Sequence, residues 1–318
     1  MQPGLIDIQR AAEVVYDFMP ATPQHCWPLL CERLGAEVWV KHENHTPVGS
    51  FKIRGGLVYF SQFHQSRALG QGVISATRGN HGQSIGFSAR HWGVPATVFV
   101  PHGNSTEKNA AMRALGVELV EHGEDFQEAL EQAARLAQEK NLHMVPSFHP
   151  LLVAGVSTYG LELLQAINDI DVVYVPIGMG SGVCGMVAAR DALGLNTEIV
   201  GVVSAHAKAY AESFSTRSAV SSAVTTRLAD GMACRTPNPD ALEIIWRGVD
   251  RIVTVTDEEI AAAIRLLFEC THNACEGAGA AATAAAVQEA SRIQDRKVAV
   301  VLTGSNIDRA VFAQILSD

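Results

Sequence analysis

Residues 72–149 alternate short apolar segments with longer amphipathic ones, and this alternation restricts the fold more than any other feature of the chain. Strands are predicted at 73–76, 97–100 and 117–120. Helices are predicted at 80–91 (ending before Gly93), from the N-cap Ser105 to a stop at Gly116, and at 125–140. Short apolar strands joined by helices imply a parallel sheet with helices on both faces.

The rest of the chain repeats the pattern on either side of this region. A strand is predicted at 36–41 and a helix at 57–68, after an N-terminal part that is helical and then proline-rich. Further strands are predicted at 172–175, 198–203, 251–255 and 297–302. Further helices are predicted at 183–193, 257–268, 279–293 and 307–316. Thr256 and Glu259 have the spacing of a capping box at the start of one of these helices.

This organisation predicts an α/β protein with two lobes, each built on a parallel sheet. The smaller lobe (51–149) is inserted between the two parts of the larger lobe (1–50 and 150–318). In such folds the loops that bind a ligand collect at the carboxyl ends of the strands. The loops that follow the predicted strands are therefore the places to look for chemistry.

Composition narrows the class of function. The net charge of −9 argues against a nucleic-acid-binding surface. No apolar run has the length of a membrane span, and residues 1–10 lack the apolar core of a signal peptide. The six cysteines are scattered without a CxxC pair, which is typical of reduced thiols in a cytoplasmic protein and fits no usual zinc site. A cytoplasmic protein that binds a small molecule is favoured, with no nucleic acid, membrane or metal involved.

Lys52 lies in the segment 49–56, GSFKIRGG, between an aromatic and a branched aliphatic residue. Desolvation by such neighbours lowers the pKa of a lysine, and a partly neutral amine can attack a carbonyl and hold it as a Schiff base. The alternative is a surface lysine before a glycine-capped turn. The segment alone favours that alternative, and the downstream loops are needed to decide.

Two loops join a predicted strand directly to a helix. Residues 77–83, TRGNHGQ, would place unpaired N–H groups where a carboxylate can bind, although Asn-His before a helix is often only a cap. Residues 176–183, PIGMGSGV, would wrap backbone N–H groups around a phosphate. Its glycine spacing is one residue shorter than a dinucleotide fingerprint, and no acidic residue ends the next strand, so a nicotinamide cofactor is not indicated.

Two later loops are open to plainer interpretations. Residues 276–280, EGAGA, begin an alanine-rich helix and can serve close helix packing. Residues 302–306, LTGSN, follow the last strand, and Ser305 can be the N-cap of the final helix with Asp308 three residues on. Taken together, the four loops and Lys52 require one ligand with an aldehyde, a phosphate and polar ring atoms. Pyridoxal 5′-phosphate has all three.

In combination these motifs resemble the serine/threonine dehydratases, pyridoxal-phosphate enzymes of fold type II (tryptophan synthase β-like). The resemblance rests on SFKIRG (50–55), GNHGQ (79–83), the glycine loop (178–182), EGAGA (276–280) and TGSN (303–306), which occur in the family's order from about residue 20 to the end. Each motif alone is weak, but five in order are specific. The resemblance also implies a homodimer and, because the chain ends soon after the last motif, no C-terminal regulatory domain.

The resemblance implies a role for each matching residue at the cofactor. Lys52 would hold the cofactor as a Schiff base and remove the α-proton, Phe51 would pack on the ring, and Asn80 would bond its phenolic oxygen. The phosphate would be held by the glycine loop, which comprises Gly178, Met179, Gly180, Ser181 and Gly182. Glu276 would lie near the ring and Ser305 would face the pyridine nitrogen. A neutral hydroxyl there makes the ring a weaker electron sink, which suits loss of a β-leaving group.

The substrate carboxylate would bind Thr77, Asn80 and His81, and Arg78 departs from the family pattern beside them. The family's racemases have a serine at this position that protonates the opposite face, and an arginine stays protonated, so racemisation is not expected. Arg78 could recognise a second anionic group, as in 3-hydroxyaspartate; the alternative is an arginine that points outward or closes a salt bridge.

The expected activity is elimination of water from L-threonine and/or L-serine, giving a 2-oxo acid and ammonia. Alternatives are a dehydratase specialised for 3-hydroxyaspartate or another 3-hydroxy amino acid, a β-replacement enzyme, and a non-catalytic binding protein. Met179 and Ser181 replace glycines of the family's phosphate loop, but backbone donors survive such changes when the dihedral angles allow. The family's metal-binding carboxylates are missing from residues 204–210, so no metal is predicted there.

Overall fold

A computed structural model describes residues 2–66 and 70–317. Its strands are β1 (Gln24–Cys26), β2 (Glu37–His42), β3 (Val73–Ala76), β4 (Ala96–Val100), β5 (Glu118–Glu121), β6 (His143–Met144), β7 (Val172–Pro176), β8 (Glu198–Ser204), β9 (Arg251–Val255) and β10 (Lys297–Leu302). Its first helices are α1 (Leu5–Tyr16), α2 (Pro28–Leu34), α3 (Lys52–Gln65), α4 (Asn80–His91), α5 (Thr106–Ala114), α6 (Phe126–Glu139) and α7 (Pro150–Ala166). The later helices are α8 (Ser181–Ala192), α9 (Ala209–Thr216), α10 (Pro239–Gly248), α11 (Asp257–Thr271), α12 (Gly277–Gln288), α13 (Ala290–Ile293) and α14 (Arg309–Ser317).

The larger sheet has six strands in the order β1-β2-β10-β7-β8-β9. All neighbours are parallel except the edge pair β1 and β2. Every residue of β7 is buried, and alternate residues face opposite sides, with Tyr174 in one apolar cluster and Val175 in another. A strand buried on both faces explains why the predicted strands read as continuous apolar runs.

The smaller sheet has four parallel strands in the order β5-β4-β3-β6. Val73 packs into a cluster on one face and Ile74 into a cluster with α6 on the other. Two parallel sheets with helices on both faces confirm the predicted fold class. Hereafter the small lobe is the part around the four-stranded sheet and the large lobe is the part around the six-stranded sheet.

The predicted lobe boundaries at residues 50 and 150 remain a proposal. The strands of the two sheets fall on either side of these boundaries, which supports the proposed division. In the described part of the chain, no helix combines the length and hydropathy needed to cross a membrane. No group of three or more His, Cys, Asp or Glu side chains suited to a metal ion occurs among these same residues.

The helix caps follow the sequence signals. The Thr256 hydroxyl accepts a hydrogen bond from Glu259 N at 3.2 Å, and the Glu259 carboxylate accepts one from Thr256 N at 2.7 Å, which confirms the capping box. Ser105 accepts from Lys108 N at 3.1 Å, as an N-cap does. The sequence therefore located the starts of α11 and α5.

Several predicted elements differ from the structure. Helix α3 begins at Lys52 rather than at residue 57, and the last predicted residues of that helix, 67 and 68, lie outside the described part of the chain. The single helix predicted at 279–293 is two helices, α12 and α13. The sequence did not predict α7, whose 17 residues include 13 buried ones.

Candidate active site

A cavity of about 810 Å³ opens where loops that follow β3, β7 and β10 meet. Its position matches the expectation that ligands bind at the carboxyl ends of parallel strands. Among the residues singled out from the sequence, the cavity is lined by Phe51, Lys52, Thr77, Arg78, Asn80, His81, Gly178, Met179, Gly180, Ser181, Gly182 and Glu276. Segments far apart in the sequence thus share one site.

Lys52 begins α3, and its amine lies inside the cavity. Its Nζ donates a hydrogen bond to Ser181 Oγ at 3.1 Å and lies 5.0 Å from the centroid of the Phe51 ring. Burial lowers the pKa of Lys52 from 10.5 to about 8. An amine with this pKa is partly neutral near physiological pH and can attack an aldehyde.

This lowered pKa predicts how fast the apo-protein takes up an aldehyde at different pH values. Only the neutral amine reacts, so the rate of covalent attachment of pyridoxal phosphate should rise with pH and level off above about pH 8. The measurement is the change in cofactor absorption after mixing, followed by stopped flow. A rate that rises up to the ordinary lysine value of 10.5 would contradict the assignment.

The glycine loop between β7 and α8 has no room for side chains at two of its positions. A Cβ on Gly178 would lie 2.3 Å from Gly231 O, and one on Gly180 would lie 2.7 Å from the Ala241 Cβ. Gly180 also has a φ of +100°, which favours glycine. The loop leads directly into the N-terminus of α8, where backbone N–H groups are unpaired and the helix dipole favours an anion. This cradle fits a phosphate.

Asn80 and Glu276 meet in the cavity although they belong to different lobes. Asn80 Nδ2 donates to Glu276 Oε1 at 2.6 Å, and Asn80 Oδ1 accepts from Asn306 Nδ2 at 2.8 Å. Burial raises the pKa of Glu276, and the nearby Lys108 ammonium opposes that rise. The packing interpretation of EGAGA also holds for its glycines, because a Cβ on Gly279 would lie 2.3 Å from Gly304 O. Glycine packing therefore sets the position of Glu276.

Ser305 is not among the residues that line the cavity. The residue of this loop that lines the cavity is Thr303, which is 4% exposed. Ser305 instead donates its N–H to Gly49 O at 2.9 Å, and a Cβ on Gly49 would lie 3.2 Å from Ser305 Oγ. The alternative prediction, an N-cap at Ser305, is wrong because α14 begins at Arg309. The hydroxyl near a cofactor ring would thus be that of Thr303.

The loop from Thr77 to Gln83 forms one wall of the cavity. Thr77 Oγ1 accepts a hydrogen bond from Gly79 N at 3.0 Å. Burial, assisted by the nearby charge of Lys52, lowers the pKa of His81 to about 3, so its ring is neutral at physiological pH. Arg78 Nε and His81 Nε2 are buried, and neither has a hydrogen-bond partner within the described residues. Buried polar atoms without partners inside a cavity are suited to a polar ligand.

Sequence reasoning missed Lys108 and Asp230, which also line the cavity. Lys108 Nζ lies 2.7 Å from Asp230 Oδ2 and 2.9 Å from Glu276 Oε2. Lys108 lies in the first turn of α5, directly after β4. Its position beyond the carboxyl end of a parallel strand is the sequence signal that could have identified it. Asp230 lies in the irregular segment 217–238 between α9 and α10, where no periodic pattern predicts a position.

The comparisons with known proteins agree with this geometry. Residues 17–304 match the model of the family described as pyridoxal-phosphate dependent enzyme. The chain belongs to this family. It is 39% identical to an L-threonine ammonia-lyase of Geobacter sulfurreducens over 278 residues, which cover 87% of this chain and 69% of that protein. It is 32% identical to the L-threonine ammonia-lyase of Thermotoga maritima over 317 residues, covering 98% and 78% of the two chains.

A solved structure gives the same result for the fold. The processed form of threonine deaminase isoform 2 from Solanum lycopersicum superposes with a TM-score of 0.91 at 29% identity, covering 98% of this chain and 91% of that one. The predicted family, fold type II architecture and cofactor are confirmed. The residues present fit the cofactor, because the cavity combines a reactive lysine, a phosphate cradle and unpaired polar atoms.

Proposed function

We propose that this member of the family is an ammonia-lyase that converts L-threonine and/or L-serine to the 2-oxo acid and ammonia. The observation that carries the proposal is the 39% identity to an L-threonine ammonia-lyase, together with a cavity that brings the loop 77–83 to Lys52. The proton leaves the α-carbon and the hydroxyl leaves the β-carbon as water. The resulting enamine takes up water and releases ammonia, so the atoms of the substrate are all accounted for.

Each residue has a role in this proposal. Bound pyridoxal phosphate supplies the electron sink that makes the α-proton acidic. Lys52 would hold the cofactor through its aldehyde and would accept the α-proton, which its lowered pKa favours. The N–H groups from Gly178 to Gly182 would hold the phosphate, Phe51 would pack against the ring, and Asn80 would donate to the phenolic oxygen.

The substrate and ring nitrogen have their own contacts. Thr77, Asn80 and His81 bind the substrate carboxylate at the wall formed by their loop. Thr303 would have the role predicted for Ser305, because Thr303 lines the cavity. A threonine hydroxyl has the same chemical consequence as a serine hydroxyl: it does not hold the pyridine nitrogen protonated as a carboxylate would. The site therefore favours elimination over transamination.

Release of 2-oxo acid from cofactor-loaded protein tests the proposal. The substrates are L-serine, L-threonine, both diastereomers of 3-hydroxyaspartate, and 3-phenylserine. The highest kcat/KM on threonine or serine is the expected result. No release from any of the five compounds would reject the ammonia-lyase and leave β-replacement or a binding role.

A second candidate is a dehydratase specialised for 3-hydroxyaspartate. Arg78 lines the cavity with its Nε buried, and no carboxylate of the described residues forms an ion pair with it. A guanidinium in this position is suited to a second carboxylate on the substrate. The two candidates differ only in the group carried by the β-carbon.

Arg78→Ala distinguishes these candidates. If Arg78 binds a second carboxylate, the substitution should lower kcat/KM for 3-hydroxyaspartate by about tenfold or more, because a charge-assisted hydrogen bond contributes about 1.5–3 kcal/mol. The value for serine should change much less. Arg247→Ala, at an exposed position of α10, is the control. Equal losses on both substrates would reject the specialised candidate.

We further propose a cytoplasmic homodimer. The six cysteines are scattered without a CxxC pair, which supports a reducing compartment. Sedimentation equilibrium tests the dimer, for which the support is the resemblance to the dehydratases. A monomer at all concentrations would reject it.

A further inference from the structure

A continuous series of polar contacts crosses the cleft between the lobes at the cavity. Its members come alternately from the large lobe and the small lobe, so each contact joins the two. In order, they are Asp230 to Lys108 (2.7 Å), Lys108 to Glu276 (2.9 Å), Glu276 to Asn80 (2.6 Å) and Asn80 to Asn306 (2.8 Å).

Lys108 is the cation at the centre of this series, and its side chain is 5% exposed. The aliphatic part of Lys108 packs directly on Gly79, where a Cβ would lie only 2.4 Å from Lys108 Cδ. Gly79 has a φ of +153°, so the backbone also favours glycine there. Lys108 thus fills the space beside the loop that carries Asn80 and continues across the cleft to Glu276.

The buried carboxylate of Glu276 depends on the Lys108 ammonium for its stability. One ammonium lies between two carboxylates, and the Glu276 side chain is 3% exposed. A buried carboxylate that loses its cation pays a large desolvation cost. Loss of the Lys108 ammonium would leave Glu276 in that condition. The two ion pairs therefore hold Asp230 and Glu276 to Lys108.

Asp230 connects the same cation to the segment 217–238, which we call the strap. The strap runs from α9 to α10 and lines the cavity at 221–224 and 230–238. Its Gly231 carbonyl lies against Gly178 of the phosphate cradle, 2.3 Å from where a Cβ on Gly178 would be. The strap therefore contacts the phosphate cradle and, through Asp230, the small lobe.

We propose that Lys108 is a positioning residue that holds the strap and Glu276 against the small lobe and thereby fixes the Asn80 amide at the cofactor site. Without its ammonium, Glu276 and Asp230 repel each other, the strap leaves the cavity more often, and Asn80 loses a fixed partner. This inference depends on the pyridoxal-phosphate site but not on which amino acid is the substrate.

Limited proteolysis of the apo-protein by trypsin tests the proposal. Arg227 is an exposed arginine of the strap, and cleavage after it reports how often the strap opens. Lys108→Met should accelerate that cleavage by about tenfold, as expected when a local contact that holds a segment is lost. Lys108→Arg keeps the cation and should restore most of the protection. Lys140→Met, at an exposed lysine of the same lobe, should cleave like the unaltered protein.

The cofactor gives a second readout. In Lys108→Met the absorption maximum of bound pyridoxal phosphate should shift, since the Asn80 amide is no longer held. Lys108→Met/Glu276→Gln, which removes the unpaired buried charge, should recover part of the protection from trypsin. Non-additive effects of the two substitutions measure their coupling.

Two results would overturn the proposal. One is a Lys108→Met variant whose rate of trypsin cleavage and cofactor absorption maximum both equal those of the unaltered protein. The other is Lys108→Arg cleaving as fast as Lys108→Met while both keep the melting temperature of the unaltered protein. If Lys108→Met does not fold, Lys108→Arg is compared with Lys108→Met/Glu276→Gln: it should be cleaved more slowly, and a rate that is not slower would overturn the proposal. Lack of 2-oxo acid release from all five test substrates by the unaltered protein would reject the proposed function and leave this result valid.

Discussion

Replacing Lys52 with alanine should abolish both covalent attachment of pyridoxal phosphate and turnover. The substitution removes the amine that attacks the aldehyde and the base that accepts the α-proton. Loss of proton transfer alone lowers kcat by about 10²–10⁴-fold, and loss of attachment adds to it. Turnover of threonine and the absorption of the bound cofactor are the measurements.

The fold should survive this change. Burial disfavours the charged form of Lys52 and lowers its pKa to about 8, so at neutral pH the folded state gains nothing from the ammonium. The melting temperature of the apo-protein should therefore not fall, and Lys140→Ala, at an exposed position, provides the control for both readouts. Elimination retained by Lys52→Ala would refute the assignment of the catalytic lysine.

The largest effect on stability is expected for Arg54→Met. Arg54 is fully buried two residues after Lys52, and its guanidinium donates to Glu43 at 2.8 Å and to Glu162 at 2.7 Å. Lys41 also contacts Glu162, at 2.6 Å. Removing the guanidinium leaves two buried carboxylates with one ammonium. Breaking a buried pair in this way costs about 3–5 kcal/mol of the free energy of unfolding.

Urea unfolding of the apo-protein measures this cost. Arg33→Met is the matched control, because its ion pair with Glu269 is 3.8 Å long and more than half exposed on both sides. An exposed pair contributes about 0–1 kcal/mol. Arg54→Met should therefore shift the midpoint far more than Arg33→Met, and equal shifts would show that the buried network does not stabilise this fold.

The ion pairs of Arg54 also fix the position of Lys52 at the start of α3. Glu43 follows β2, Glu162 is on α7, and Arg54 is on α3, so the cluster fixes the first turn of α3 against the large lobe. The sequence predicted a helix here but placed its start at residue 57. A local pattern does not show that Arg54 is buried, because its burial depends on carboxylates that are distant in the chain.

Helix α7 shows where periodicity fails. A helix at the surface has an apolar stripe that repeats every 3.6 residues, whereas α7 is buried on all sides from residue 152 to residue 164 and has no face exposed to water there. Small residues replace the stripe: a Cβ on Gly155 would lie 2.3 Å from Arg54 O, so α3 and α7 pack backbone to backbone. The strands were easier to predict because parallel strands buried on both faces are short apolar runs between turns.

Thr303 and Ser305 show a different limit of sequence-based prediction. Both residues carry a hydroxyl, and they are two positions apart in one loop. The path of the backbone decides between them: Gly304 pairs with Ser50, and Ser305 N–H is bonded to Gly49, which leaves Thr303 at the cavity. The sequence determined that a neutral hydroxyl occurs in this loop. The tertiary structure decided which of the two hydroxyl-bearing residues lines the cavity.

The sequence by itself determined the α/β architecture, the order of the loops and the set of loop residues that meet Lys52 in the cavity. It could do so because strand length, helix caps and glycine turns are local properties of the chain. Only the tertiary structure brought Lys108 and Asp230 to Glu276, and Arg54 to Glu43 and Glu162. These contacts join residues far apart in the chain, and a buried ion pair depends on the partner and the exclusion of water that folding alone provides.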